Sequence, residues 1–225
     1  MAYNFDKIYI NGHWCDSTSG RFIEVENPAT LEHFAQVPEG NEKDIDAAVK
    51  AAHEAFKSWS NTELAVRVGL MKKMLTIFEG YQDKIIDLEV KELGAPVSFS
   101  VQSHCVYQYT RTQSYIDCAM QLPLEEHLQT STVYREPIGV VACITPWNYP
   151  LGQVVQKVIP AILMGNTVVL KPSQHTPLTA YLLIDAFDQA GFPAGVINMV
   201  TVKGSAVGDA LASHPLVDMV SFTGS

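Results

Sequence analysis

Residues 138–150 read IGVVACITPWNYP, residues 166–172 read NTVVLKP and residues 217–224 read VDMVSFTG. Each is a short apolar run, rich in Val and Ile, that breaks at a Pro, Gly or polar turn. Between the runs lie stretches with apolar residues at helical spacing. Strands are expected over 138–144, 167–170, 196–200 and 217–222. Helices are expected over 151–164, 178–190 and 205–213, with Gly191 closing the second. Strands that are apolar throughout must be covered on both faces, so the pattern implies a parallel α/β sheet, doubly wound with helices on both faces. Ligands of such sheets sit at the carboxyl ends of the strands. Residues 145–149, 171–175, 201–204 and 223–225 are therefore expected around one crevice.

The N-terminal half reads differently. A short β meander is expected from Ile8-Tyr9-Ile10 through the Asn11-Gly12 turn to 21–25, with Asn27-Pro28 as a breaker. Asn41 is a good N-cap with Asp44 three residues on. Ile45, Val49, Ala52, Phe56 and Trp59 then share one helical face, and Leu64, Val68, Met71, Leu75 and Phe78 repeat the pattern. Two more helices are expected, over 82–93 and 97–120, followed by an extended connector or strand over 130–135.

Composition narrows the function. The chain has 225 residues, 47% hydrophobic and 17% charged, which is globular rather than disordered. A net charge of −9 repels phosphate backbones and anionic lipid, arguing against nucleic-acid and membrane-surface roles. No apolar run is long enough to span a bilayer, and residues 1–10 lack the apolar core of a signal peptide. Cys15, Cys105, Cys118 and Cys143 are scattered, and no Cys or His has metal-ligand spacing, so reduced thiols, a cytoplasmic setting and no metal are expected.

The strand ends carry the candidate chemistry. In Thr145-Pro146-Trp147-Asn148-Tyr149-Pro150 two prolines stiffen a turn that presents a flat indole and an amide donor. An amide held where negative charge develops is what acyl-transfer chemistry needs. The same turn also reads as an Asx-turn with a packed Trp, and on the residues alone both readings stand. Lys171-Pro172-Ser173-Gln174 offers a cation and two hydrogen-bonding side chains to a ribose or phosphate, or simply a solvated Lys in a loop. Gly204-Ser205-Ala206-Val207-Gly208 opens a helix whose free N–H groups suit an anion, although G-x-x-x-G alone is a weak signal and the G-x-G-x-x-G fingerprint is absent. Cys143 lies inside an apolar strand and reads as inert. No His pairs with a carboxylate at a recognisable spacing.

Order and spacing of these motifs say more than any one of them. From Ile10-Asn11-Gly12-His13-Trp14, through Asn27-Pro28-Ala29-Thr30 and 44–49, to 135–141, Pro146-Trp147-Asn148, Leu170-Lys171-Pro172-Ser173, Gly191-Phe192-Pro193 and Phe222-Thr223-Gly224-Ser225, the chain resembles the aldehyde dehydrogenase superfamily. The resemblance implies an N-terminal β/helical part over 1–122 and a connector or start of oligomerisation strands over 123–137. A Rossmann-like NAD(P)-binding core follows over 138–225, incomplete at its C-terminus. It implies that Asn148 is the oxyanion-hole amide and that Lys157 joins a proton relay. Ile144, Thr145, Pro146, Trp147, Lys171, Ser173, Gln174, Gly204, Gly208, Phe222, Thr223, Gly224 and Ser225 would line NAD or NADP. Tyr149, Gly152, Gln153 and Gln156 would line the substrate tunnel, and their polarity suggests a small or polar aldehyde. The family oxidises aldehydes to acids through a Cys thiohemiacetal and thioester. Its subunits form homodimers or homotetramers.

Two departures follow from that resemblance. Gln174 stands where many NAD-preferring members carry Glu, which would relax discrimination against NADP. The family's nucleophilic Cys and general-base Glu lie beyond Ser225, so the 225-residue chain is expected to be inactive alone. The alternatives are a non-catalytic protein that binds a dinucleotide or a partner, and a semialdehyde or acylating dehydrogenase.

Overall fold

The computed structural model describes residues 5–224. Its centre is a six-stranded sheet in the order β10-β7-β8-β9-β1-β2. Strands β7 (Val140–Ile144), β8 (Thr167–Lys171), β9 (Ile197–Met199) and β10 (Met219–Phe222) run parallel. Each crossover is a helix: α6 (Pro150–Leu163), α7 (Leu178–Ala190) and α8 (Ser205–Ala212). The doubly wound α/β architecture expected from residues 138–224 is what the chain adopts.

Alternation explains why the strands are apolar throughout. Val140 and Ala142 pack on one face with Ile45, Val49 and Ala52 of α1 (Glu42–Trp59), while Val141 and Cys143 pack on the other with α6 and α7. Both faces are buried, so neither set of side chains can be polar. Polar side chains pin the strand starts instead. The Asn166 Oδ1 accepts from the Ile138 and Gly139 N–H groups at 2.7 and 3.2 Å, and the Asp218 carboxylate accepts from Val140 N–H at 2.8 Å.

The N-terminal segment departs from a simple meander. Strands β1 (Ile8–Ile10) and β2 (His13–Cys15) form a hairpin through Asn11-Gly12, with φ of 53° and 77°, the left-handed pair that a two-residue type I′ turn requires. This hairpin extends the main sheet, with β1 antiparallel to β9, so the sheet is mixed at that edge. Asn198 of β9 fixes the junction: its Oδ1 accepts from Asn11 N–H and its Nδ2 donates to the Gly195 and Val168 carbonyls. A separate hairpin, β3 (Phe22–Glu26) with β4 (His33–Pro38), sits outside the sheet. Both β2 and β4 escaped the periodicity reading because each lacks a sustained apolar alternation.

Helices α1 and α2 (Leu64–Glu79) form with the faces expected. The helix expected over 82–93 is α3 (Gln82–Leu88) continued by a π-helical turn, Glu89–Leu93. The next is a short α4 (Val97–Phe99), a π-helical stretch over Ser100–Val106, and α5 (Tyr107–Gln121). Residues 123–137 contain a second strand that composition did not reveal: β5 (Glu125–His127) pairs with β6 (Thr132–Tyr134) in an exposed hairpin. Among the described residues no helix is long and apolar enough to cross a membrane.

The capping box of α1 anchors the N-terminal segment. Buried Asp44 accepts from Asn41 N–H at 3.1 Å, Thr18 N–H at 3.0 Å and the Ser17 and Thr18 hydroxyls at 2.7 and 2.8 Å. Asp44→Ala removes the acceptor for all four donors, so it should cost about 3 kcal/mol and lower the thermal midpoint by roughly 10 °C. Circular dichroism melts measure this, and a change within about 2 °C would show that the box is dispensable.

Candidate functional site: a cleft at the carboxyl ends of the parallel strands

Register decides which residues meet. Ile144 is level with Lys171 on one side and Phe222 on the other. The ladder runs on past the strands, with Thr145 N–H donating to the Lys171 carbonyl at 3.2 Å and Thr223 N–H to the Ile144 carbonyl at 3.1 Å. The three turns therefore open side by side. They enclose a cleft of about 520 Å³ lined by Ile144, Thr145, Pro146, Trp147, Asn148, Lys171, Ser173, Gln174, Phe222, Thr223 and Gly224, together with His175. A second hollow of about 460 Å³ shares Ile144, Lys171 and Phe222 with the first and adds Gly204 and Gly208. Ser225 lies outside the described residues.

The Asn148 turn is held from both sides. Thr176 donates its hydroxyl to the Trp147 carbonyl at 3.1 Å. Tyr149 folds back into the protein, its hydroxyl donating to the Ser103 carbonyl at 3.0 Å and accepting from Gln108 Nε2 at 2.6 Å. Gly152 makes that pose possible, because a Cβ there would lie 1.9 Å from the Tyr149 ring. Trp147 and Asn148 are left exposed toward the cleft. The Asn148 side chain makes no hydrogen bond among the described residues, so the turn does not use it as an Asx cap. Gln153 and Gln156 are half-buried on α6, outside the lining of the cleft.

Lys171 is not a solvated loop residue. Its stem crosses the hollow 3.5 Å from the position a Cβ on Gly208 would take, and burial draws its ammonium below the ordinary lysine value. It forms no ion pair among the described residues. The Thr145 hydroxyl is likewise buried at the cleft without a partner. Gln174 is oriented by its carbonyl, which accepts the Gly204 N–H at 2.9 Å. The amide NH₂ is therefore the end left for a ligand. Gly204, with φ of 80°, needs glycine for its left-handed backbone, and no atom lies within 4 Å of where its Cβ would be. Lys157 on α6 donates to the Thr223 hydroxyl at 2.6 Å, which ties the helix to the fourth turn.

Several residues in or behind the site gave no sequence signal. Glu92, 3% exposed, accepts from the Leu178 and Thr179 N–H groups at 2.8 and 3.2 Å and so caps α7. Burial, with the adjacent Glu89 charge, pushes its carboxyl well above the ordinary value. No His stands at a recognisable spacing from a carboxylate in the sequence, yet the fold brings His104 Nδ1 to 3.1 Å from Glu89 Oε1 with both side chains fully buried. The partners are 15 residues apart on two π-helical turns, a spacing that a 3.6-residue period does not bring together. Of the four cysteines none lines the cleft. Cys143 is buried in β7, its thiol pushed up to about 12 by desolvation, as its apolar setting suggested.

Comparison with known proteins agrees with this geometry. The sequence model of the "Aldehyde dehydrogenase family" matches residues 14–225. A Staphylococcus aureus protein described as "Putative aldehyde dehydrogenase" is 40% identical over 222 residues, which are 99% of this chain and 47% of that one. The NAD+ complex of an aldehyde dehydrogenase from Bacillus cereus superposes with a TM-score of 0.94 at 34% identity, covering 99% of this chain and 46% of that one. An aldehyde dehydrogenase C mutant from Pseudomonas syringae, in complex with NAD+ and octanal, gives a TM-score of 0.88 at 38% identity, with 96% and 44% covered. The chain thus spans about half the length of the relatives it matches. With the motif order, the fold and the strand-end cleft all in agreement, the chain belongs to the aldehyde dehydrogenase family.

Proposed function

We propose that this chain provides the nicotinamide-dinucleotide cleft and the oxyanion donor for the oxidation of an aldehyde to a carboxylic acid. The observation that carries the reading is the pair of joined hollows sharing Lys171, with unpartnered donors at Thr145, Asn148 and Lys171 turned to them. Two connected hollows suit the two halves of a dinucleotide, and the buried orphan hydroxyl of Thr145 and the desolvated Lys171 ammonium suit its oxygens. When bound, the nicotinamide supplies a hydride acceptor. The protein's own residues do the rest: Lys171 binds ribose oxygens, and Gly204 and Gly208 leave room for close approach. Ile144 and Trp147 give apolar walls that exclude water, and Lys157, tied to Thr223, is placed for proton transfer. Ser173, Phe222 and Gly224 complete the lining. Asn148 directs its amide N–H at the oxygen of the aldehyde as charge develops there.

In an active enzyme containing this chain, Asn148→Ala should lower kcat roughly a hundredfold or more while the KM for cofactor stays put. A rise confined to cofactor KM would assign Asn148 to binding alone. No thiol reaches the cleft, so the 225-residue polypeptide by itself should bind the dinucleotide and generate no NAD(P)H. That behaviour also describes a binding-only protein, and kcat in a longer polypeptide separates the two. Of Tyr149, Gly152, Gln153 and Gln156, the two glutamines make the α6 face polar, which favours a small or polar aldehyde.

Cofactor choice turns on Gln174. Its carbonyl is spent on Gly204, so its NH₂ can donate to a ribose 2′-OH or to a 2′-phosphate. Glu would keep the Gly204 bond and set a negative charge against the phosphate. Gln174→Glu should therefore raise the Kd for NADP+ by about tenfold or more with NAD+ unchanged or tighter. Equal effects on the two nucleotides in isothermal titration would sink this assignment. We further propose a cytoplasmic homodimer or homotetramer. All four cysteines are free, and the β5–β6 hairpin is exposed throughout, a two-stranded piece that needs a partner.

A further inference from the structure

The Tyr149 hydroxyl is tied at two points, to the Ser103 carbonyl and to Gln108 Nε2. Those two residues are five apart, and the π-helical stretch Ser100–Val106 running into α5 brings them to one face. Gln108 Nε2 also donates to the Ser103 carbonyl at 2.6 Å, which closes the cradle. A third residue of the same stretch reaches the ring itself. The His104 imidazole lies 4.9 Å from the Tyr149 ring, centroid to centroid, at an interplanar angle of 53°. Phe99 packs edge-to-face on that imidazole at 5.5 Å.

His104 is fully buried, which takes two ring nitrogens away from water. Glu89, also fully buried, comes from the other π-helical turn and sets Oε1 3.1 Å from His104 Nδ1. The two meet by proximity rather than through a directed hydrogen bond, which neither side chain makes among the described residues. Glu92, whose charge is coupled to Glu89, is taken up by the Leu178 and Thr179 N–H groups. A buried polar pair of this kind adds little net stability compared with apolar side chains of the same volume. Its effect is on orientation. The carboxylate and Phe99 fix the plane of the imidazole, and the imidazole fixes the plane of Tyr149. Two bonds to one hydroxyl leave a phenol ring free to rock about its oxygen end, and a second ring packed against it removes that freedom.

We infer that His104, backed by Glu89, is a positioning residue for the turn that presents Asn148. Tyr149 follows Asn148 and is the N-cap of α6, its carbonyl accepting the Gln153 N–H at 3.0 Å. Holding the Tyr149 ring therefore holds both the end of the turn and the first hydrogen bond of the helix. Gly152, which has no Cβ to meet the ring, lets α6 close on it. The catalytic consequence rests on the oxyanion role proposed for Asn148; the placement of Tyr149 does not.

Removing His104 alone would leave Glu89 buried without its neighbour, so the test is the double variant Glu89→Leu/His104→Leu, which makes both groups apolar at similar size. Its thermal midpoint should stay within about 5 °C of the wild type. In the 225-residue chain the Gln153 amide should exchange about tenfold faster, while that of Val168, bonded to the Val196 carbonyl in the sheet, keeps its rate. Returning a ring, with Glu89→Leu/His104→Phe, should restore most of the protection. Unchanged Gln153 exchange in the double-Leu variant, equal acceleration at Val168, a collapse of the midpoint, or no rescue by Phe would each overturn the inference. In an active enzyme containing this chain the double-Leu variant should lower kcat about tenfold with cofactor KM unchanged. Faster Gln153 exchange with a normal kcat would uphold the grip on Tyr149 and count instead against the role proposed for Asn148.

Discussion

Everything at the site depends on the parallel register of β10, β7 and β8. Because Phe222, Ile144 and Lys171 are level, the three chains leave the sheet together and their turns face one another. A slip of one residue would exchange the side chains packed on the two buried faces, Val140 and Ala142 against Val141 and Cys143, so the packing of both faces enforces the register. Core packing and site geometry are one constraint: the side chains that exclude water from the sheet also place Thr145, Lys171 and Thr223 within a ladder bond of each other.

The helical N-terminal half, which carries no chemistry of its own, braces that arrangement. Gln108 and the Ser103 carbonyl hold Tyr149, and through it the turn that presents Asn148. Glu92 caps the helix that follows the Lys171 turn. Both contacts come from the segment containing the two π-helical stretches, where the extra residue per turn swings side chains off the regular helical face. The buried His104–Glu89 pair belongs to the same segment.

These differences explain what could be read from the sequence. The strands of residues 138–224 were legible because burial on both faces leaves an unbroken apolar run, and α1 was legible because Asn41 and Asp44 form a local capping box. Site residues 144–148 and 171–174 followed from the strand ends, since the fold dictates where such ends converge. What stayed hidden was non-local. Strands β2, β4 and β5 are short and take their identity from a partner. Gln174 looked like a loop residue until Gly204, thirty positions later, turned its carbonyl inward. Glu92 and His104 looked like ordinary charges on amphipathic helices, and only tertiary packing buries them. Arg67 falls by spacing on the apolar face of α2, three residues after Leu64 and four before Met71, and lies inside with it.

The central claim is that four separated turns form a single dinucleotide site. Amide hydrogen exchange of the 225-residue chain with and without NAD+ tests it most directly. The account predicts coordinated slowing at 145–148, 171–175, 204–208 and 223–224, with little change in α2 or the β5–β6 hairpin. Slowing at one turn alone, or protection centred elsewhere, would contradict it.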